Sequence, residues 1–301
     1  MTDNTIFTIG GITISIEGDF ELNAKKIPYT YRPFKEIGKA DITLRLLKKT
    51  PVPTAGEKIF DSPPIWSLYR HNGTSILKIF EHMPGCGRTL VLPQNIKDTD
   101  LYFDDPAGNY CNPFYGPTME LLMMNYLAKG MGVIIHGCGI KKNDRGLLFV
   151  GESGAGKTTM ARIWSEESDV EVLSDDRTIV RKKDGHFRMY GTPWHGEGKF
   201  GSPGNVKLDQ IYFIKHGGKN SIKSRNNVFL VTQFLKCSFP AFWDTEAMNY
   251  SMELFSDLVR SVPCRELTFK PDSSIIDFIK AQGTRLRSDI TRCCAHRASF
   301  E

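Results

Sequence analysis

The run Gly151-Glu152-Ser153-Gly154-Ala155-Gly156-Lys157-Thr158-Thr159 has the spacing G-x-x-x-x-G-K-[ST], that of a loop built to wrap a phosphate. The glycines let the backbone turn tightly and aim successive N–H groups at one anion. A helix start just beyond adds further donors and partial positive charge. In such a loop the lysine, here Lys157, reaches the β- and γ-phosphates, and the next hydroxyl, Thr158, ligates Mg²⁺. Phosphoryl transfer also needs carboxylates, one for the metal and one for the acceptor's proton. Asp175-Asp176 closes the apolar run Val170 to Leu173, and strand ends beside the loop are where an open α/β sheet binds ligands. Asp175 is the expected base, with Asp176 and Thr158 at the metal. His136 ends the apolar run before the loop strand and is a candidate for a role at the phosphate or metal. Glu197, set between glycines, is a further candidate metal contact, and Gly196 to Gly204 is a candidate lid. Arg177 and Lys199 are candidates for steadying phosphate charge, whereas His195 reads as structural.

These residues need strands and helices to hold them. Leu147-Leu148-Phe149-Val150 reads as the strand entering the loop, and Thr158 to Trp164 begins the helix leaving it. Gly132 to Ile135 is expected as a short buried strand that stops at His136. Further strands are expected over Val170 to Leu173, Thr178 to Arg181, Phe187 to Tyr190, Leu208 to Lys215, Asn227 to Val231 and Pro263 to Phe269. Thr245 to Ser261 carries Met248, Met252, Phe255 and Val259 on one stripe and reads as an amphipathic helix. Ser274 to Lys280 reads as a closing helix. Upstream, Thr5 to Glu17 alternates about Gly10-Gly11, a hairpin pattern. Asp41 to Leu47 alternates again, and His71-Asn72-Gly73 marks a second hairpin turn. The expected organisation is a β-rich, antiparallel N-terminal domain at 1–105, a linker and helix at 106–130, an α/β domain at 131–282 and a basic tail at 283–301.

The chain has 301 residues and a net charge of +5. The positive charge is spread out, unlike the dense basic clusters of a nucleic-acid binder. No apolar stretch approaches the roughly 18 residues of a spanning helix, so no membrane partner is expected. The seven cysteines are scattered without a C-x-x-C pair. Reduced cysteines and a cytoplasmic location are the simplest expectation. A homo-oligomer is left open.

The array His136-Gly137, then Gly-Glu-Ser-Gly-Ala-Gly-Lys-Thr-Thr, then Ser174-Asp175-Asp176-Arg177 resembles the catalytic domain of HPr serine kinase/phosphorylase. It is more distantly similar to ATP-dependent phosphoenolpyruvate carboxykinase. The resemblance covers roughly residues 130–280. It implies a P-loop α/β kinase domain behind the β-rich one, an α+β and α/β combination. It implies ATP and Mg²⁺ at Gly154, Gly156, Lys157 and Thr158, an acidic pair at Asp175 and Asp176, and an active-site histidine at His136. The family's Glu-Ile-Arg-Gly-Leu-Gly-Ile-like stretch is missing, and Gly191-Thr192-Pro193-Trp194-His195-Gly196-Glu197 occupies that region. The chain thus looks like the divergent HPr-kinase-like proteins, some of which resemble peptide-tailoring serine kinases. The activity this implies is transfer of the γ-phosphoryl group of ATP to a hydroxyl, such as a serine of a peptide or small protein. A carboxykinase-like enzyme, a small-metabolite kinase and a nucleotide-sensing module without turnover are the competing expectations.

Overall fold

Alternation of apolar and polar residues builds most of this chain. A computed structural model describes residues 5–18, 27–47, 56–80, 82, 87–103 and 112–282. The tail expected at 283–301 and residues 106–111 of the linker and helix expected at 106–130 lie outside the described residues. The protein is mixed α/β, with two large sheets and few helices. No helix among the described residues is long and apolar enough to cross a membrane.

The first sheet has nine strands: β1 (Thr5–Ile9), β2 (Ile12–Gly18), β3 (Lys35–Glu36), β4 (Ile42–Leu47), β5 (Glu57–Ser62), β6 (Trp66–His71), β7 (Thr74–Ile79), β8 (Arg88–Leu92) and β9 (Asp98–Phe103). Their order across the sheet is β3-β1-β2-β4-β9-β8-β7-β6-β5. The Gly10-Gly11 turn forms as its sequence predicts, with φ of +63° and +68°. Those values suit glycine and the tight turn that matches strand twist. The sheet is not wholly antiparallel as expected, because β4 pairs in parallel with both β2 and β9. Long connections bring β4 into the sheet centre, and the short hairpin signals in the sequence carry no information about those pairings. Helix α1 (Thr118–Leu127) packs its Met119, Leu122, Met123 and Leu127 into the same core as Phe7, Ile14, Leu44, Leu90 and Leu101.

The second sheet comprises β10 (Val133–Lys142), β11 (Arg145–Val150), β12 (Val170–Ser174), β13 (Arg177–Lys183), β14 (His186–Tyr190), β15 (Asn205–His216), β16 (Ser221–Lys223) and β17 (Cys264–Phe269). Strand β10 does not stop at His136 as expected. It pairs with β13 over Val133 to His136 and then with β11 over Gly137 to Lys142. Gly137 and Gly139 make this change of partner sterically feasible. A Cβ on Gly137 would fall 3.0 Å from Leu148 and one on Gly139 would fall 3.1 Å from Thr178. Strands β10, β13, β14, β15 and β11 are paired in a closed ring.

The helices of this half are α2 (Lys157–Ser165), α3 (Asn227–Lys236) and α4 (Thr245–Ser261), with a further helical stretch at 274–282. Period-two alternation along β11 and β15 sends Phe149 and Tyr212 to α2 and the 274–282 stretch. It sends Leu148, Val150, Ile211 and Phe213 to α3 and α4. The strand expected at Asn227 to Val231 is the first half of α3. Its β-branched residues favour a strand, but the Asn226 side chain caps the helix by accepting from the Phe229 N–H at 2.9 Å. Leu230 and Phe234, one turn apart, then bury together, with Phe234 against Phe213 and Phe255. Capping and packing outweigh propensity differences of a few tenths of a kcal/mol per residue.

Candidate functional site

The apolar residues of β11 seat the strand between its neighbours, and the glycine-rich stretch that follows turns the chain into α2. Gly156 is the N-cap residue of α2 with φ +102°. A Cβ there would fall 2.6 Å from Phe269 and 2.7 Å from His216, so only glycine fits. Lys157, only 6% exposed, donates to the carbonyls of Gly151 and Glu152, each at 2.9 Å. Burial pushes the Lys157 pKa down, while the charges of Asp176 and Asp175 pull it the other way.

Beside the loop, the two aspartates occupy different environments. Asp175 is 1% exposed. Its Oδ1 accepts from the Gly196 N–H and its Oδ2 from the Gly198 N–H, both at 2.8 Å. Oδ2 also lies 3.3 Å from the Thr158 hydroxyl, which donates to it. Asp176 reaches the opposite way. Its Oδ1 is 2.9 Å from His136 Nε2, and its Oδ2 accepts from Arg177. Burial raises the Asp176 pKa, but the His136 hydrogen bond and the charges of Arg177 and Lys157 outweigh it and hold the carboxyl below its ordinary value. The backbone fixes the pair firmly. The Ser174 hydroxyl accepts from the N–H groups of Asp176 and Arg177, and the Gly137 N–H donates to the Asp176 carbonyl at 2.9 Å.

Arg177 lies between the two halves of the chain. Its guanidinium stands 5.1 Å above the Phe239 ring, and its Nε is 2.8 Å from the Glu120 carboxylate of α1. That contact is too bent for a hydrogen bond and is an ion pair only. Burial raises the Glu120 pKa, and the Arg177 charge opposes this. Arg177 is thereby held between two carboxylates, while Lys199 is exposed with φ +59°.

The stretch expected as a lid is fastened along its length. The Gly191 N–H donates to the Gly204 carbonyl and the Ser202 N–H to the Leu173 carbonyl, both at 3.0 Å. Trp194 is buried and donates through Nε1 to the Tyr31 hydroxyl at 2.7 Å, and Tyr29 meets His195 at 3.3 Å. Glu197, Lys199, Gly201 and Pro203 are the exposed residues of this stretch. With its first amide on Asp175, its last carbonyl on the Gly191 N–H and the indole just before it buried, this segment forms a strap.

The structure therefore brings Lys157, Thr158, Asp175, Asp176 and His136 together around the C-terminal ends of β11 and β12, with Glu197 exposed on the strap above. Thr158 meets Asp175 rather than Asp176. Among the described residues, no three His, Cys, Asp or Glu side chains could hold a metal ion by themselves. A hydroxyl next to a carboxylate at a glycine-rich loop nevertheless suits Mg²⁺, which keeps several waters and takes its other ligands from phosphate oxygens where a nucleotide is bound. Sequence reading missed Glu120, Tyr31 and the Gly196 and Gly198 amides. Nothing local marks them, because each meets its partner across a long stretch of chain.

No family model and no curated protein matches the chain. Among solved structures, it is similar to the HPr(Ser) kinase/phosphatase from Coxiella burnetii at 9% identity and a TM-score of 0.28, over 54% of this chain and 96% of that one. A likeness that slight carries no argument. The functional reading rests on the residues themselves.

Proposed function

We propose that this protein is an ATP- and Mg²⁺-dependent phosphotransferase that moves the γ-phosphoryl group to a hydroxyl, with a serine of a peptide or small protein as the favoured acceptor. The observation that carries the reading is the convergence, around the C-terminal ends of β11 and β12, of the Lys157 loop, the Thr158–Asp175 contact and the His136–Asp176 pair. Bound Mg²⁺ would supply neutralisation of the charge that builds on the phosphate oxygens. The loop amides and Lys157 bind and orient the nucleotide. Asp175 orients the Thr158 hydroxyl. Its two oxygens are capped by amides and enclosed, which leaves an acceptor hydroxyl no access. Asp176 is reachable and ionised at neutral pH, and it is joined to an imidazole that can pass the proton on. The roles first expected of the two aspartates are therefore exchanged: Asp176 with His136 takes the acceptor's proton, and Asp175 serves the metal side.

The test is transfer from γ-labelled ATP with Mg²⁺ into size-fractionated lysate, wild type against Lys157→Ala. Label in a peptide or protein fraction that vanishes in the variant supports the proposal. Label confined to small molecules points to a metabolite kinase, and oxaloacetate-dependent phosphoenolpyruvate would point to carboxykinase chemistry. ATP binding with no Lys157-dependent label anywhere would make the protein a nucleotide sensor.

A further inference from the structure

A nucleotide lying along the 151–159 loop has two ends. Its terminal phosphate belongs where Thr158, Asp175, Asp176 and His136 gather, on the flank of β11 formed by β10 and β12. Its base must then lie toward the other flank. There β15 runs parallel to β11, and β17 runs parallel to β15. The C-terminal ends of parallel strands are where such sheets take ligands. Strand β15 pairs Phe213 with Val150, the last residue before the loop, and continues to His216 at the lip.

His216 is exposed, and beneath it lies Phe269, fully buried, with ring centroids 5.0 Å apart and planes inclined by 33°. The backbone of Gly156 abuts both rings. The surrounding chain is fixed. The Gly217 N–H donates to the Phe269 carbonyl at 2.9 Å. The Asn220 side chain accepts from the Lys270 N–H at 2.8 Å and donates to the Ser274 hydroxyl at 3.0 Å. An accessible aromatic ring, backed by a buried one and touching a phosphate loop, has the makings of a stacking surface.

We propose that the His216 ring, supported by Phe269, is the platform on which the purine base of the nucleotide stacks. This inference rests on the reading of 151–159 as a nucleotide phosphate loop. Stacking reads the π-face of a base and contributes enough that alanine substitution of the ring weakens binding by about 5- to 150-fold. An exposed imidazole belongs at the lower end of that range.

The experiment is calorimetric titration of the full chain with ATP and, separately, with inorganic tripolyphosphate, each with Mg²⁺. The expected result is that His216→Ala weakens ATP binding about 5- to 20-fold, leaves tripolyphosphate unchanged and is rescued by His216→Phe. If His216→Ala binds ATP like wild type while Lys157→Ala does not bind it, the platform is wrong and the loop reading stands. Equal weakening toward both ligands would place His216 at the phosphates and overturn the proposal. If wild type binds neither ligand, the loop reading itself falls, and the platform with it.

Discussion

Two neighbouring aspartates with the same side chain stand in different surroundings. Asp175 is saturated by two amides and a hydroxyl, and Asp176 is shared between an imidazole and a guanidinium. Asp176→Asn should lower kcat by about 100-fold or more, the usual cost of losing a positioned base, while leaving the KM for ATP nearly unchanged. Asp175→Asn should instead raise the Mg²⁺ concentration needed for half-maximal rate. Initial rates over ATP and Mg²⁺ titrations decide between them, and the reverse pattern would restore Asp175 as the base. Away from the site, Glu167 accepts from Lys142 and Lys280, which hold its carboxyl down to about 2. A carboxylate with a depressed pKa stabilises the fold above its unfolded value, near 4.5, and that contribution fades as pH falls through the folded one. The gap in urea midpoint between wild type and Glu167→Gln should therefore close between about pH 4.5 and pH 2. It should also narrow in high salt, since all three groups are at least partly open to solvent.

At the level of elements, the sequence was most legible where one local cause dominated. The Gly10-Gly11 and Asn72-Gly73 turns, the loop from Gly151 to Gly156 and the amphipathic α4 all follow from patterns confined to a few neighbouring residues. Two elements were misread because the deciding partner was elsewhere or was small. Strand β10 runs through His136 because Gly137 and Gly139 admit close neighbours, a property visible only once β11 and β13 are in place. Helix α3 overrides the strand-favouring Val228, Phe229 and Val231 with one cap and a buried Phe234. Asn226→Ala should accordingly cost about 1 kcal/mol in chemical denaturation, and Asn226→Asp should cost little. An unchanged midpoint for the alanine variant would mean that packing alone holds α3. The site was legible as a residue set but not as a geometry. Which aspartate faces Thr158 depends on the strap amides at Gly196 and Gly198, and spacing alone does not encode their direction.

At the scale of the molecule, the two sheets are joined through side chains that reach across. Arg181 of β13 donates to the carbonyls of Gly10, Gly11 and Met131 at 2.7, 3.0 and 3.0 Å, and the Gly10 backbone packs on Ile179. Arg70 meets Asp244 at 3.3 Å, and Phe60 and Trp66 pack against Trp243. Because hydrogen bonds from a charged donor are worth about 1.5–3 kcal/mol, Arg181→Ala should lower stability by about 2 kcal/mol. A loss below about 0.5 kcal/mol, the range of an ordinary surface change, would show that the apolar contacts alone join the sheets. The parallel pairing of β11 with β15 and of β15 with β17 also has a consequence in time. The glycine-rich loop is complete in sequence at Thr159, but the wall it leans on ends with Phe269, on the order of 100 residues later. At typical synthesis rates of 5–20 residues per second that is a delay of roughly 5–20 s. On the ribosome, the nine-stranded sheet can form while the loop is still without its neighbours. On the proposed reading of the loop, a growing chain of this protein should therefore gain affinity for nucleotide late and abruptly, only after β17 has emerged.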